Sequence, residues 1–265
     1  MPKEKVNDIN LYYEIHGEGY PLVLIGGTNH HIHKYPPQFI ELISKHFQII
    51  LFENRGSGRT DQPDIRYTHK MMADDTAGLM EALKIEKAHV LGSSLGGMIA
   101  QEFALKYPEM LNKIVLCCTS CGPRNSIPPS LKVLRIYMQS TEGMTEEELV
   151  RRNLPTFFPK EYIKNNPDLI DDYVRRSLLI PQNLIGLKRQ MAMISSGNTF
   201  KRLNNITVPT LIVHGKKDLI LPPKNAEILA EHIPGAKLLY LEKSGHLLFS
   251  IETELLVREL INFLS

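Results

Sequence analysis

The stretch Gly92-Ser93-Ser94-Leu95-Gly96 constrains the fold of this chain more than any other. It follows an apolar run from Ala88 that is typical of a buried strand, and a helical pattern from Met98 to Lys106 comes after it. A strand, a tight turn and a helix are therefore predicted to meet at Ser94. Glycine two residues before and two residues after this serine lets the two elements approach without a side-chain collision.

The same turn is predicted to place a hydrogen-bond donor beside the serine hydroxyl. The Leu95 N–H lies at the start of the helix, where unpaired N–H groups and the helix dipole favour negative charge. A Gly-x-Ser-x-Gly sequence also occurs in ordinary glycine-rich turns, so its meaning depends on the rest of the chain. A serine hydroxyl becomes a useful nucleophile only when a base takes its proton.

Apolar strands alternate with helical patterns along most of the chain. The first strand alternates apolar and polar residues, whereas the later ones are continuously apolar, which is typical of parallel strands buried on both faces. The pattern predicts an α/β fold with a mostly parallel central sheet flanked by helices. The predicted strands are 9–15, 22–25, 48–52, 88–91, 113–117, 209–214 and 237–241. The predicted helices of this part are 39–45, 67–83, 98–106, 222–233 and 247–264.

Asp218 and His246 follow two of these predicted strands, as Ser94 follows another. The carboxyl ends of parallel strands share one edge of a sheet, so residues far apart in sequence can meet there. An imidazole titrates near neutral pH and can take the serine proton, while a carboxylate behind the ring fixes its tautomer. We therefore predict Ser94 as nucleophile, His246 as base and Asp218 as the residue that orients the base.

The alternation of strand and helix patterns stops after residue 121 and resumes after residue 200. Residues 122–200 show only helical spacing. A crossover between parallel strands needs about a dozen residues, so this segment is predicted to be an inserted helical cap. The core then consists of residues 1–121 and 201–265. Thr145 and Glu148 have the spacing of a capping box at a helix start. Four prolines are predicted to divide the cap into short helices: Pro155, Pro159, Pro167 and Pro181.

Two clusters raise the question of a metal or redox site. Cys118 and Cys121 have C-x-x-C spacing, but no second pair follows, and Cys117 and Cys118 close an apolar run. Small buried residues at a strand end are the simpler interpretation. The stretch His30-His31-Ile32-His33 fits no single helix face and has no adjacent carboxylate, so a solvated loop is predicted. We predict no metal site.

Composition excludes several classes of partner. The net charge is +2, with 43% hydrophobic and 23% charged residues, which is ordinary for a soluble globular protein. Acidic and basic residues are spread along the chain, so a nucleic-acid partner is not expected. The first residues lack the apolar stretch of a signal peptide, and no apolar run approaches membrane-spanning length. We expect a cytoplasmic protein without a membrane partner.

Taken together, these motifs resemble those of α/β-hydrolase-fold proteins over essentially the whole chain. The order Ser…Asp…His is that of the family, and the charged loop 53–60 is a variant of its Asp-X-Arg-Gly-X-Gly-X-Ser sequence. In the family, a His-Gly-X loop follows the corresponding strand, and the N–H of X completes an oxyanion hole. Gly26 stands at the histidine position here and Thr28 at the X position. The resemblance therefore implies an oxyanion hole made of the Leu95 and Thr28 backbone N–H groups.

The resemblance is greatest to small capped esterases, enol-lactonases and cofactor-free haloperoxidase-like enzymes. It implies a serine hydrolase that cleaves a small ester, lactone or related acyl substrate through an acyl-enzyme on Ser94, without a cofactor. A carbon–carbon bond hydrolase with the same three residues remains an alternative. So does a ligand-sensing protein that keeps the three residues and signals through its cap. A serine at position 94 disfavours the dehalogenases and epoxide hydrolases of this fold, which use aspartate there.

Overall fold

The computed structural model describes residues 3–265, which form eight strands and ten α-helices. The strands are β1 (Lys3–Val6), β2 (Ile9–His16), β3 (Pro21–Ile25), β4 (Gln48–Phe52), β5 (Ala88–Ser93), β6 (Leu111–Cys117), β7 (Thr210–Gly215) and β8 (Lys237–Leu241). The helices are α1 (Pro37–Ile43), α2 (His69–Ala82), α3 (Leu95–Lys106), α4 (Leu131–Tyr137), α5 (Glu146–Phe157), α6 (Lys160–Asn165), α7 (Pro167–Ser177), α8 (Leu184–Ile194), α9 (Lys224–His232) and α10 (Thr253–Leu264). A six-residue 3₁₀ helix, Phe200–Asn205, precedes β7.

All eight strands belong to one sheet in the order β1-β2-β4-β3-β5-β6-β7-β8. The pairs β1–β2 and β2–β4 are antiparallel, and the six strands from β4 across to β8 run parallel to one another. The mostly parallel sheet flanked by helices confirms the predicted fold class. The carboxyl ends of β5, β7 and β8 lie at one edge of the sheet, and Ser94, Asp218 and His246 follow them.

Apolar side chains cover both faces of the sheet. Along β3, Val23 and Ile25 belong to the core packed under α2, α3 and α9, whereas Leu22 and Leu24 belong to the core under α1 and α10. All four side chains are completely buried. Burial on both faces explains why the parallel strands read as unbroken apolar runs.

Arg55 fixes the charged loop that follows β4. Its guanidinium is almost completely buried and bonds Asp75 on α2 (2.8 Å) and Asp8 in the β1–β2 turn (2.6 Å). Thr60, at the end of the loop, donates its hydroxyl proton to the Glu53 carbonyl (2.6 Å). Burying a charge requires such pairing, so Arg55 holds the loop to two other elements.

Helices α4–α8 lie between β6 and β7, and we refer to them as the cap helices. Helix α5 begins with the predicted capping box: the Thr145 hydroxyl accepts from the Glu148 N–H, and the Glu148 carboxylate accepts from the Thr145 N–H (2.8 Å). The prediction that Pro155 divides the segment is wrong, because Pro155 lies inside α5. It stands near the carboxyl end, so only one late hydrogen bond of the helix is lost.

Three further sequence predictions differ from the structure. Strand β1 was not predicted, and the predicted helix 247–264 is instead a short 3₁₀ turn at Leu248–Ser250 followed by α10. His31 is only 3% exposed, so the predicted solvated loop is wrong. The cap covers it, and its Nε2 lies 3.2 Å from the Ser177 carbonyl of α7.

None of the helices in residues 3–265 has the length and apolar character needed to cross a membrane.

Buried histidines make the stability of this fold sensitive to acid. Burial lowers the pKa of His31 to about 3 and the pKa values of His69 and His89 to about 4, from an ordinary 6.5. In the unfolded chain these three histidines bind protons near pH 6.5, whereas in the folded chain they stay neutral until the pH is much lower. Unfolding below pH 6.5 therefore takes up protons. The free energy of unfolding should therefore fall from pH 6.5 towards pH 4, by about 1.4 kcal/mol per pH unit for each such histidine.

His89→Phe tests this linkage, since His89 lies between the rings of Tyr20 and Phe47, where another ring can pack. Urea unfolding between pH 6.5 and 4.5 should show a pH slope smaller by about 1.4 kcal/mol per unit than in the wild type. The matched control is His46→Gln at an exposed position, which should keep the wild-type slope. An unchanged slope in His89→Phe would show that His89 does not gain a proton on unfolding.

Candidate active site

Ser94 has a backbone conformation that few non-glycine residues adopt, with φ 54° and ψ −119°. Its N–H donates to the Cys117 carbonyl (2.9 Å), and its carbonyl accepts from the Thr119 hydroxyl (2.6 Å), so β6 and the loop after it hold the turn. A Cβ atom at Gly92 would collide with the Gly96 carbonyl on α3. The strained turn thus depends on its glycines and on the neighbouring strand.

The side chains of Ser94, His246 and Asp218 form one hydrogen-bonded chain. His246 Nε2 lies 3.1 Å from Ser94 Oγ, and His246 Nδ1 lies 2.7 Å from Asp218 Oδ2. A carboxylate only accepts hydrogen bonds, so Nδ1 carries the proton and the Nε2 lone pair faces the serine hydroxyl. The structure thus brings together the three residues that the sequence predicts, in an order suited to proton transfer from serine to imidazole.

The Asp218 carboxylate is buried and surrounded by donors. Its Oδ1 accepts from the Ile220 N–H (2.9 Å) and the Leu221 N–H (3.0 Å). On the other side, His214 Nε2 lies 3.3 Å from Oδ2. Burial by itself raises the pKa of Asp218, but the interactions with His246 and His214 outweigh burial and hold that pKa well below its ordinary value. The carboxylate is therefore a fixed negative charge behind the imidazole.

His214 and Cys118 are two neighbours of Asp218 that sequence analysis missed. Potential ligand atoms of these three residues lie within 4.8 Å of one another, the only such grouping found in residues 3–265. Their chemistry does not suit an ion: burial holds the pKa of the Cys118 thiol far above its ordinary value. His214 Nε2 also donates to the Leu221 carbonyl (2.7 Å). We interpret the group as packing around the carboxylate; its signal in the sequence is that His214 and Cys118 end adjacent parallel strands.

The loop after β3 lies directly against the serine. A Cβ atom built on Gly27 would be 3.3 Å from the Cβ of Ser94, so a side chain here would crowd the serine. Thr28 is the next residue, and Leu95 opens α3 on the other side of Ser94. Within residues 3–265, neither the Leu95 N–H nor the Thr28 N–H donates to another protein group. Both can serve the oxygen of a bound carbonyl compound.

His30 occupies the space beside Gly26. A Cβ atom at Gly26 would lie 2.8 Å from His30 Nδ1 and 3.0 Å from its Cβ and Cγ atoms. The His30 ring also packs edge-on against the Tyr35 ring, with centroids 4.4 Å apart. Gly26 is thus paired with a histidine four residues later, which the sequence comparison at position 26 alone did not indicate.

The cap contacts His246 through the end of α5. The Phe157 carbonyl accepts from the His246 N–H (3.0 Å), and the plane of the Phe157 ring is inclined by 28° to the imidazole, with centroids 6.4 Å apart. The sequence places Phe157 among the apolar residues of the predicted cap but does not distinguish it from the others. The contact uses a backbone carbonyl, so the residue type carries no signal for it.

Comparison with known proteins places this geometry in context. A family model described as alpha/beta hydrolase fold matches residues 20–253. A putative carbamate hydrolase RutD from Azorhizobium caulinodans is 28% identical over 99% of this chain and 98% of its own length. A putative non-heme bromoperoxidase BpoC from Mycobacterium tuberculosis is 28% identical over 96% of this chain and 97% of its own length.

Solved structures also resemble this chain over nearly its full length. The enol-lactonase from Burkholderia xenovorans LB400 is 27% identical to this chain, with a TM-score of 0.86 over 99% of both chains. A thermophilic esterase from Thermogutta terrifontis, 24% identical, has a TM-score of 0.83 over 100% of this chain and 98% of its own. These similarities extend through the helices between β6 and β7 as well as the sheet.

The pairing of Gly26 with His30 predicts a strong coupling between these positions. Gly26→Ala should lower the free energy of unfolding by about 1–3 kcal/mol, because the new methyl group overlaps the His30 side chain. His30→Ala should recover most of that loss in the double variant. Urea unfolding of the two single variants and the double variant gives the coupling energy. If the two effects simply add, the histidine does not fill the space beside Gly26.

Proposed function

The chain belongs to the alpha/beta hydrolase fold family, and on that premise we propose that it is a serine hydrolase acting on a small ester, lactone or related acyl substrate. One observation carries the proposal: the hydrogen-bonded chain from Ser94 through His246 to Asp218, beside the Leu95 and Thr28 N–H groups, which have no protein partner within residues 3–265. This arrangement supplies a nucleophile, a base and donors for an oxyanion.

Acylation begins with attack of Ser94 Oγ on the substrate carbonyl carbon. His246 Nε2 takes the hydroxyl proton as the new C–O bond forms, and Asp218 stabilises the resulting imidazolium. The carbonyl oxygen becomes an oxyanion, which accepts hydrogen bonds from the Leu95 and Thr28 N–H groups. When the tetrahedral intermediate collapses, His246 returns the proton to the leaving group, and the acyl group stays on Ser94.

Deacylation uses the same groups with water as the nucleophile. His246 takes a proton from the water molecule, the hydroxide adds to the acyl carbon, and the oxyanion is held as before. Collapse breaks the bond to Ser94 Oγ, which regains its proton from His246. The low pKa of Asp218 keeps its charge available through both half-reactions.

The names of similar proteins support an acyl substrate. A carbamate and an enol-lactone both contain a carbonyl carbon bonded to a heteroatom that can leave, and proteins with those names match nearly the full length of this chain. The Phe157 ring next to His246 supports a site bounded by the cap, which suits a small substrate better than a polymer.

Covalent labelling tests the nucleophile. Wild-type protein exposed to a fluorophosphonate should gain the mass of one adduct, and Ser94→Ala should gain none, because only an activated serine attacks the phosphorus at a useful rate. Intact-mass spectrometry measures both. Circular dichroism should show that the variant is folded. Folded wild-type protein that stays unlabelled would contradict the proposal and favour a ligand-sensing role.

Steady-state turnover of short- and long-chain nitrophenyl esters tests the role of Asp218. Asp218→Asn should reduce kcat by about 10⁴-fold, because the amide can hold the imidazole in the wrong tautomer. Asp64→Asn is the matched control, since Asp64 is an exposed carboxylate that pairs with Arg189 outside the site, and it should retain wild-type turnover. Wild-type activity in Asp218→Asn would remove Asp218 from the mechanism. Ester hydrolysis too weak to follow, with cleavage of a carbon–carbon bond instead, would change the substrate class.

A further inference from the structure

A cap glutamine joins the two loops that flank the serine. Gln190, on α8, is completely buried. Its Oε1 accepts from the Asn29 N–H (2.8 Å). Its Nε2 donates to the Arg55 carbonyl (2.8 Å) and to the Ser57 hydroxyl (2.9 Å). All of its hydrogen-bonding groups are thus used, and they bridge the loop after β3 and the loop after β4.

Asn29 is the residue directly after Thr28, and two side chains hold its backbone. Its φ of +48° lies in the left-handed region, which asparagine adopts more readily than most other non-glycine residues. The Asn29 N–H is held by Gln190, and the Asn29 carbonyl accepts from Lys34 Nζ (2.8 Å). The Asn29 N–H belongs to the Thr28–Asn29 peptide group, so holding it also holds the carbonyl carbon and the Cα atom of Thr28. The Thr28 N–H belongs to the preceding peptide group, which is attached to that same Cα atom.

On the other side of Thr28, the loop offers little stiffness of its own. Gly26 and Gly27 are two successive glycines, which restrict the backbone less than any other residues. The Gly26 carbonyl accepts from Asn54 Nδ2 (2.8 Å), which fixes the start of the loop. The contact from Gln190 fixes its far end, three residues later.

Helix α8 packs on the loop after β4, and this contact fixes the helix where Gln190 can hold Asn29. Gly186 packs directly on Gly56, because a Cβ atom on Gly186 would collide with the Gly56 carbonyl. Asn183 caps the helix through a hydrogen bond from the Gly186 N–H to its Oδ1 (2.9 Å). The start of α8 therefore rests on the loop after β4, and Gln190 extends from that base to Asn29.

We propose that Gln190 is a positioning residue for the oxyanion hole: it holds the Thr28–Asn29 peptide group, and through the Thr28 Cα atom it restrains the adjoining Gly27–Thr28 peptide group, so that the Thr28 N–H faces the carbonyl oxygen of the substrate. The cap then contributes to the chemical step as well as covering the site. The catalytic part of this inference rests on the proposed function, whereas the structural part, that Gln190 holds the loop, does not.

Gln190→Met tests the proposal because methionine keeps the length of the side chain but removes all three hydrogen bonds. The kcat for a nitrophenyl ester should fall by about 10–100-fold with little change in KM, since a displaced donor affects the transition state more than substrate binding. Inhibition by a trifluoromethyl ketone, which forms an oxyanion on Ser94, should weaken by a similar factor. The pH dependence of kcat should keep its wild-type shape, because His246 and Asp218 are unaffected.

Hydrogen exchange provides a readout that does not need activity. Peptides covering residues 26–32 should exchange faster in Gln190→Met than in the wild type, whereas peptides from β5 should not change. Arg189→Gln is the matched control: it removes an ion pair of the neighbouring residue on the same helix and should change neither kcat nor exchange. Ser57→Ala, which removes one of the three hydrogen bonds, should give a smaller increase in exchange at residues 26–32.

The outcomes separate the two proposals. Wild-type turnover and wild-type exchange in Gln190→Met, with an active wild-type enzyme, would overturn the inference. If the wild type itself has no Ser94-dependent activity, the proposed function fails, and the exchange experiment still decides whether Gln190 holds the loop. If Gln190→Met does not fold, Ser57→Ala replaces it: faster exchange at residues 26–32 supports the inference, and unchanged exchange overturns it.

Discussion

The arrangement of the active-site edge depends on one close approach, where α3 crosses the carboxyl ends of β3 and β5. A Cβ atom at Gly96 would collide with the Ile25 carbonyl, so the helix can start there only with glycine. This approach forces Ser94 into its strained conformation and directs Leu95 into the first turn of the helix. The hydroxyl and a helix N-terminus are therefore set side by side by backbone geometry, before any catalytic side chain is considered.

A second constraint is the burial of the Asp218 charge. A buried carboxylate without partners would be costly, and here four groups compensate it: two backbone N–H groups and two histidines. Only His246 of the two histidines reaches Ser94; His214 also bonds the Leu221 carbonyl. The carboxylate is therefore held by groups on both sides, and the orientation of His246 depends on the packing of the loops after β7 and β8.

The cap is part of the active-site framework. It contacts the His246 backbone through the Phe157 carbonyl and the loop after β3 through Gln190. Arg176 on α7 adds three further hydrogen bonds, of 2.9 to 3.1 Å, to the carbonyls of residues 33–35. These contacts join the cap to the loops around Ser94 and His246, so a change in the cap also affects those loops.

The sequence by itself determined the α/β fold, seven of the eight strands and the position of Ser94, Asp218 and His246 after three of them, because strand burial and glycine spacing are local signals. It predicted poorly where elements meet: Pro155 inside α5, His31 beneath α7 and the antiparallel β1. Only the tertiary structure decided that His214 and Cys118 surround Asp218, that His30 fills the space beside Gly26 and that Gln190 reaches Asn29. Each of these contacts joins residues whose separation in sequence carries no periodic pattern, and each depends on how the cap and loops pack.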